Sequence, residues 1–347
     1  MAVKTRPDCI LVTGGSGFIG SHVTRRLVKA SPDRLVVNLD ALTYCGNPAN
    51  LADVAELPNY VFRRGSICDE SVVDQLFQEY RFSQVVHLAA ESHVDRSISG
   101  PMDFIRTNVL GTGVLLQACK NHWGGDFSGK VFLHVSTDEV FGSLTEQDPA
   151  FSLQSPYAPR SPYAASKAAS DHMVRAFWST YGLPVCISNC SNNFGPNQFP
   201  EKLIPLCIKR ILMNERIPVY GSGQNIRDWL YVEDHASALE LILATGRPGE
   251  TYLIGGDCEV RNLQLVEKLC DCVDEQMGAV ESSRRLISFV QDRLGHDHRY
   301  AIDSRKTRSE LGWSPRTSFE VGLRETVRWY LDNQLWLGIP SPQALNS

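Results

Sequence analysis

The sequence predicts an α/β fold, a doubly wound parallel sheet followed by a smaller mixed α/β C-terminal lobe. Two observations predict it. Through the first half, short β-branched runs alternate with amphipathic stretches, the pattern of parallel strands covered by helices on both faces. After about residue 190 the alternation loosens, and Gly and Pro punctuate the chain at "FGPNQFP", "IPVYGSG" and "GRPGE". We expect residues 1–190 to form the first domain, with about 222–246 returning to it, and residues 191–335 to form the lobe.

Taken in order, the strands expected are "CILVT" (9–13), "RLVVNLD" (34–40), "YVFRR" (60–64), "QVVHLAA" (84–90), "KVFLHVS" (130–136) and "LPVCISN" (183–189). The helices expected between them cover 18–30, 70–80, 101–120 and 164–181. No internal repeat stands out. The net charge of −5 over 347 residues argues against a broad basic surface for nucleic acid or anionic lipid. The first apolar run follows a short polar lead, and no run approaches ~18 apolar residues, so neither a signal peptide nor a membrane span is expected. Among ten cysteines there is no C-x-x-C pair, and Cys9, Cys119, Cys186 and Cys207 sit inside apolar runs. Reduced, buried thiols in the cytosol are the expected state, with no metal site.

The chemistry begins at "TGGSGFIGSH", where Gly14, Gly17 and Gly20 make G-x-x-G-x-x-G at a strand-to-helix turn. Glycines there let the backbone approach a pyrophosphate at a helix N-terminus, the Rossmann arrangement. Asp40 ends the second strand 20 residues on. Its carboxylate suits ribose hydroxyls and repels a 2′-phosphate, which favours NAD over NADP. In "SPYAASKAASD", Tyr163 and Lys167 are four apart, so both side chains share one helical face. An ammonium beside a phenol stabilises the phenolate. The stretch "VSTDEVFG" ends a strand with Thr137 and then two adjacent acids, Asp138 and Glu139. Both acids can address one ligand only if the strand ends near Thr137 and the chain turns. Two crowded, partly desolvated carboxyls keep one protonated while the other is charged.

These motifs resemble the extended short-chain dehydrogenase/reductases. With "ESHVDRSI", "NCSNNFGPNQFPEKLIP", "IRDWLYVEDH" and "DRLGHDHRYAID", the chain is more narrowly similar to the nucleoside-diphosphate-glucose 4,6-dehydratases, the dTDP-glucose enzymes above all, from Leu11 to about Trp336. The resemblance implies an NAD-dependent lyase acting on dTDP-glucose. The sugar is oxidised at C4, loses water across C5 and C6, and is reduced again at C6. It assigns Tyr163 and Lys167 to the oxidation, Thr137 to the 4-oxygen, Glu139 to the C5 proton and Asp138 to the 6-hydroxyl. The cofactor would also meet Phe18, Ile19, Thr43, Ser66, Ile67 and Ala89. The nucleotide sugar would meet Ser92, Asn192, Lys202, Pro218, Tyr220, Arg227, Asn262, Arg293 and His296, with the arginines and His296 around the diphosphate. A homodimer built on segments 101–120 and 161–181 is also implied.

The chain departs from the family pattern at Ser66, where Asp is usual, at Ala41 for Lys, at Leu294 for Pro and at Leu253 for Asn. These departures bear on cofactor affinity and base recognition more than on the chemistry. A UDP-glucose 4,6-dehydratase and a UDP-sugar 4-epimerase are the competing enzymes, although an epimerase has no use for the acid pair. An NAD-binding sensor is the non-enzymatic alternative.

Overall fold

The computed structural model describes residues 8–339. Its first six strands are β1 (Cys9–Thr13), β2 (Leu35–Asp40), β3 (Tyr60–Arg64), β4 (Phe82–His87), β5 (Val131–Thr137) and β6 (Val185–Cys190). Six further strands follow among the described residues: β7 (Asn192–Phe194), β8 (Ile217–Tyr220), β9 (Ile226–Tyr231), β10 (Thr251–Ile254), β11 (Glu259–Arg261) and β12 (Ile287–Val290). The central sheet is parallel and seven-stranded, in the order β10-β6-β5-β4-β1-β2-β3. The winding reverses beside β1, so a crevice opens there at the carboxyl ends of β1 and β4, where such sheets bind ligands.

Strand period explains the two cores. Ile10 and Val12 point to one face, packing with Val23 and Leu27 of helix Phe18–Ala30. Leu11 and Cys9 point to the other, toward Leu115 and Leu116 of helix Thr112–Trp123. Each fully buried Leu, Ile or Val contributes about 1.5–3 kcal/mol. The later residues build a separate core around Phe194, Trp229, Leu265 and Tyr330, beside a three-stranded sheet β11-β9-β7 and the pair β12-β8. Part of this second half crosses back. Helix Val232–Thr245 packs on helix Phe18–Ala30, and β10 edges the large sheet. The crossing therefore lies at 232–254. Residues 226–231 stay in the lobe as β9, paired with β7 and β11.

Two elements differ from the sequence expectation. The run 84–90 leaves the sheet after His87: Leu88 N–H makes the last pairing bond, to Thr13 O, and Ala89 N–H turns to Thr13 Oγ1 instead of a backbone carbonyl. Residues 88–92 are thereby freed to line the crevice. The stretch 101–120 is not one α-helix. It contains a π-helical segment, Ile105–Gly111, between Pro101–Phe104 and Thr112–Trp123. Insertions of this type gather at functional sites.

Candidate active site

The glycine loop is a built cradle. Gly14 is left-handed at φ +73°, and a Cβ on it would sit 2.7 Å from the Ala89 backbone. A Cβ on Gly20 would lie 2.0 Å from Gly14 O, so the helix and the loop touch only because both residues lack one. The helix N-terminus is open: Gly17 caps it without a side chain, and no acid occupies its first turn. Asn38 holds the loop by accepting Gly15 N–H at 3.0 Å. Asp40 accepts the amides of Ser16 at 2.9 Å and Leu42 at 2.8 Å. Burial raises the Asp40 carboxyl and these two amides draw it back. The crevice around the loop is lined by Gly14, Gly17, Phe18, Ile19, Gly20, Asp40, Thr43, Ser66, Ile67 and Ala89, then by Thr137, Asp138, Glu139, Tyr163 and Lys167. A glycine cradle, an open helix terminus and an acid at the end of β2 fit a dinucleotide.

At the far end of this crevice, β5 stops at Thr137 and the chain turns into a short 3₁₀ segment, Asp138–Phe141. Thr137 Oγ1 accepts Glu139 N–H at 3.3 Å and donates to Asp138 Oδ1 at 3.2 Å. Gly142 at φ +90° closes the turn against Ala158 O, leaving no room for a Cβ. The turn breaks strand alternation, and both acids reach the crevice. Their surroundings differ. Asp138 is 2% exposed with Oδ2 unpartnered, and burial with the charges of Glu139 and Asp228 pushes it well above the usual carboxylate range. Glu139 keeps access to the cleft. Desolvation raises it, but Arg227, Lys202 and Arg293 all favour its anion. One acid is held protonated and its neighbour is poised to ionise.

Helix Pro162–Tyr181 brings in the phenol and the amine. Ser161 caps it, accepting Ala164 N–H at 3.1 Å, and Pro162 stands at its first position. Tyr163 therefore lies in the first turn and lines the crevice with Thr137. Burial and the Glu139 charge hold this phenol well above its ordinary value. Lys167 is buried, donates to Val135 O at 2.8 Å, and is lowered to about 8 by burial.

The crevice continues into the lobe through Ser92, Glu139, Asn192 and Lys202, which line both halves. Beyond them lie Pro218, Tyr220, Arg227, Asn262, Arg293 and His296. Several polar atoms here are buried without a partner: Arg293 Nε, His296 Nε2, and Oδ1 of both Asn192 and Asn262. Native interiors rarely leave such groups unpaired, and together they mark a polar ligand's place. Burial and Arg293 lower His296, whose Nδ1 lies 2.6 Å from Asp292. Lys202 Nζ is turned to Ser92 O at 2.9 Å. Arg227 differs from the free fork that its sequence context suggested. It is 6% exposed, donates to the carbonyls of Ile226 and Asp297 at 2.7 and 2.9 Å, and stacks over Tyr300.

The departures separate by position. Ser66 and Ala41 line the cofactor end, where Ser66 Oγ also accepts Cys68 N–H. Leu294 is mostly exposed, and Leu253 packs in the core with Val140 and Phe141, away from both halves of the crevice. Asn108 was not picked out from the sequence. From the π-helical segment its side chain accepts Glu91 N–H and donates to Glu91 O and Ser166 Oγ, tying the crevice floor to the helix of Tyr163. Its spacing of four from Phe104 and seven from Leu115, along the apolar face of a stretch read as amphipathic, is the one signal for it.

Comparison with known proteins agrees with this geometry. The dTDP-glucose 4,6-dehydratase 1 of Escherichia coli K12 is 52% identical over 340 residues, covering 94% of each chain. The crystal structure of dTDP-glucose 4,6-dehydratase from Bacillus anthracis, in complex with NAD, superposes with a TM-score of 0.85 at 41% identity, covering 95% of this chain and 98% of that one. That of the Streptomyces venezuelae enzyme, with NAD bound, gives 0.87 at 46% identity, covering 94% and 98%. The model of the GDP-mannose 4,6 dehydratase family matches residues 11–326, and the chain belongs to this family of nucleotide-sugar dehydratases.

Proposed function

We propose that this protein is an NAD-dependent hydro-lyase that converts dTDP-glucose to dTDP-4-keto-6-deoxyglucose and water. One observation carries the reading. Two adjacent carboxyl groups, one pushed far up by burial and its neighbour's charge, the other raised less because three cations draw it back, share a crevice with the dinucleotide cradle. NAD, held by the glycine loop and Asp40, supplies when bound a two-electron acceptor at sugar C4 and a donor at C6.

The chain's own residues do the rest. Thr137 hydrogen-bonds the 4-oxygen, and Tyr163 takes the 4-hydroxyl proton. The ketone so formed acidifies C5–H. Glu139, whose anion Arg227, Lys202 and Arg293 favour against its desolvation, removes that proton. Asp138, kept neutral, gives its proton to the departing 6-hydroxyl, which leaves as water. The C5 proton returns from Glu139 as C6 is reduced. Arg293 and His296 offer unpartnered nitrogens to the diphosphate. Arg227 favours the Glu139 anion through its charge, and three of its five N–H donors serve backbone carbonyls.

Incubating the protein with dTDP-glucose and UDP-glucose separately tests this. A 4-keto product absorbing in the near-ultraviolet in alkali is expected from dTDP-glucose. No keto product from either sugar would remove the reading, and a preference for UDP-glucose would correct the base. For the cofactor, Asp40→Ala is expected to weaken NAD binding and to ease entry of NADP. Direct titration checks it, and a wild-type protein that prefers NADP would overturn the assignment.

We further infer a cytosolic homodimer. Met102, Ile105 and Leu110 are exposed on one segment, with Met173, Trp178 and Tyr181 on helix Pro162–Tyr181 beside it. Large apolar side chains clustered on adjoining helices favour association with a second copy. Cys119, Cys186 and Cys207 are buried thiols, as a reducing compartment allows. Light scattering should give twice the 38.6 kDa chain mass, and Leu110→Asp should halve it.

A further inference from the structure

Behind the site lies a buried carboxylate to which the chemistry above gives no task. Asp171 is 0% exposed. It follows Lys167 by four residues and Tyr163 by eight, so the three share one face of helix Pro162–Tyr181. Asp171 Oδ2 accepts three hydrogen bonds, from Tyr157 OH at 2.7 Å, Ser136 Oγ at 3.0 Å and Asn189 Nδ2 at 3.2 Å. Oδ1 lies 3.1 Å from Nε2 of His134. Asn189 Nδ2 also donates to Thr137 O at 3.0 Å. Lys167 meanwhile holds Val135 O. Val135, Ser136 and Thr137 are thus tied, directly or through Asn189, to these two side chains, and His134 lies against Asp171.

We propose that Asp171 is a positioning residue for the reaction, supplying the counter-charge for Lys167 and fixing the strand end from which Thr137, Asp138 and Glu139 emerge. This rests on the dehydratase reading above. A carboxylate buried this deeply is costly unless it is paired and hydrogen-bonded. Burial opposes its charge, yet His134, Lys167 and Tyr157 together hold it below the usual carboxylate value. The charged and titratable groups around the pair are few. Arg175 donates to Tyr157 OH from the same helix. His134 on β5 is lowered to about 4 by burial and Lys167, and burial and His134 lower His87 on β4. Cys190 on β6 is raised by burial to a largely neutral thiol. Asp171, one turn along the same helix face, makes no direct ion pair with Lys167 but lies close enough for its charge to favour the ammonium against desolvation.

The sign of the effect follows. Burial already lowers Lys167 to about 8, and removing its anion lowers it further, so the ammonium is lost at lower pH. Asp171→Asn keeps the shape and removes the charge. NMR of the Lys167 side chain, assigned with Lys167→Met, should show its titration falling by ~1 unit or more. With the ammonium weakened, kcat should fall ~10²-fold while KM stays within a few-fold. Asn189→Ala cuts the tie to Thr137 but leaves the charge. It should lower kcat while the Lys167 titration stays in place.

A folded Asp171→Asn whose Lys167 titrates as in wild type would overturn the counter-charge. An Asn189→Ala protein with wild-type kcat would overturn the strand-end role, and it decides the matter if Asp171→Asn does not fold. The NMR titration needs no substrate. A wild-type protein without dehydratase activity would overturn the functional reading alone, while the titration still decides the charge pairing.

Discussion

Tyr163→Phe is expected to abolish oxidation at C4, leaving no reduced-cofactor absorbance even in a single turnover with dTDP-glucose. The ring stays in place, since its packing against Phe104 does not involve the hydroxyl. What is lost is the oxygen that takes the 4-hydroxyl proton. Removing a positioned base typically costs ~10²–10⁴-fold, and among the described residues no other phenol lines the cofactor end of the crevice. The sequence alone assigned the acidity of this phenol to Lys167. In the folded site burial and then the Glu139 charge oppose its ionisation, which leaves the Lys167 ammonium to favour it. Lys167→Ala should therefore slow the reaction and move its optimum to higher pH, because the phenol then gives up its proton only under more alkaline conditions. Unchanged rates and pH profiles in both variants would take the pair out of the mechanism.

The parts of the site legible in the sequence were those fixed by neighbours along the chain. The glycine loop, the Tyr163–Lys167 spacing and the Thr137-Asp138-Glu139 triplet each lie within one turn or one strand end, where local geometry dictates direction. The turn after Thr137 was legible for the same reason, since both acids could meet one ligand only if the strand stopped. Tertiary pairing was not legible. The pairing of β9 with β7 and β11, which keeps 226–231 in the lobe, is set by partners 30 or more residues away. The same holds for Arg227, whose donors are taken by the carbonyls of Asp297 and His298 across the lobe. Asn108 and Asp171 were missed because a polar residue inside a helix reads as solvated until its burial is known. The spacing of Asp171 from Lys167 was on the page, but the strand it faces was not.

The acid pair should separate elimination from oxidation. Glu139→Gln keeps the shape but cannot take the C5 proton, so exchange of C5–H with solvent deuterium should nearly vanish. Asp138→Asn cannot donate to the 6-hydroxyl, so reduced cofactor and the 4-keto-glucose intermediate should accumulate. Each loss should reach ~10²–10⁴-fold, and rapid-quench mass spectrometry in deuterated water tells the stages apart. The pH dependence follows from the same two groups. Elimination needs Glu139 ionised, so the rate rises with pH through a carboxyl that desolvation lifts above 4.5. It needs Asp138 protonated, so the rate falls again through a carboxyl held well above 3.8 by burial and by Glu139. Glu139→Gln removes the neighbouring charge that helps raise Asp138 and should bring the residual alkaline limb to lower pH. Two solvated acids would instead titrate near their ordinary values and change the rate only a few-fold when replaced. Near-normal product formation by both variants would make the pair structural, and the dehydratase assignment would fall with it.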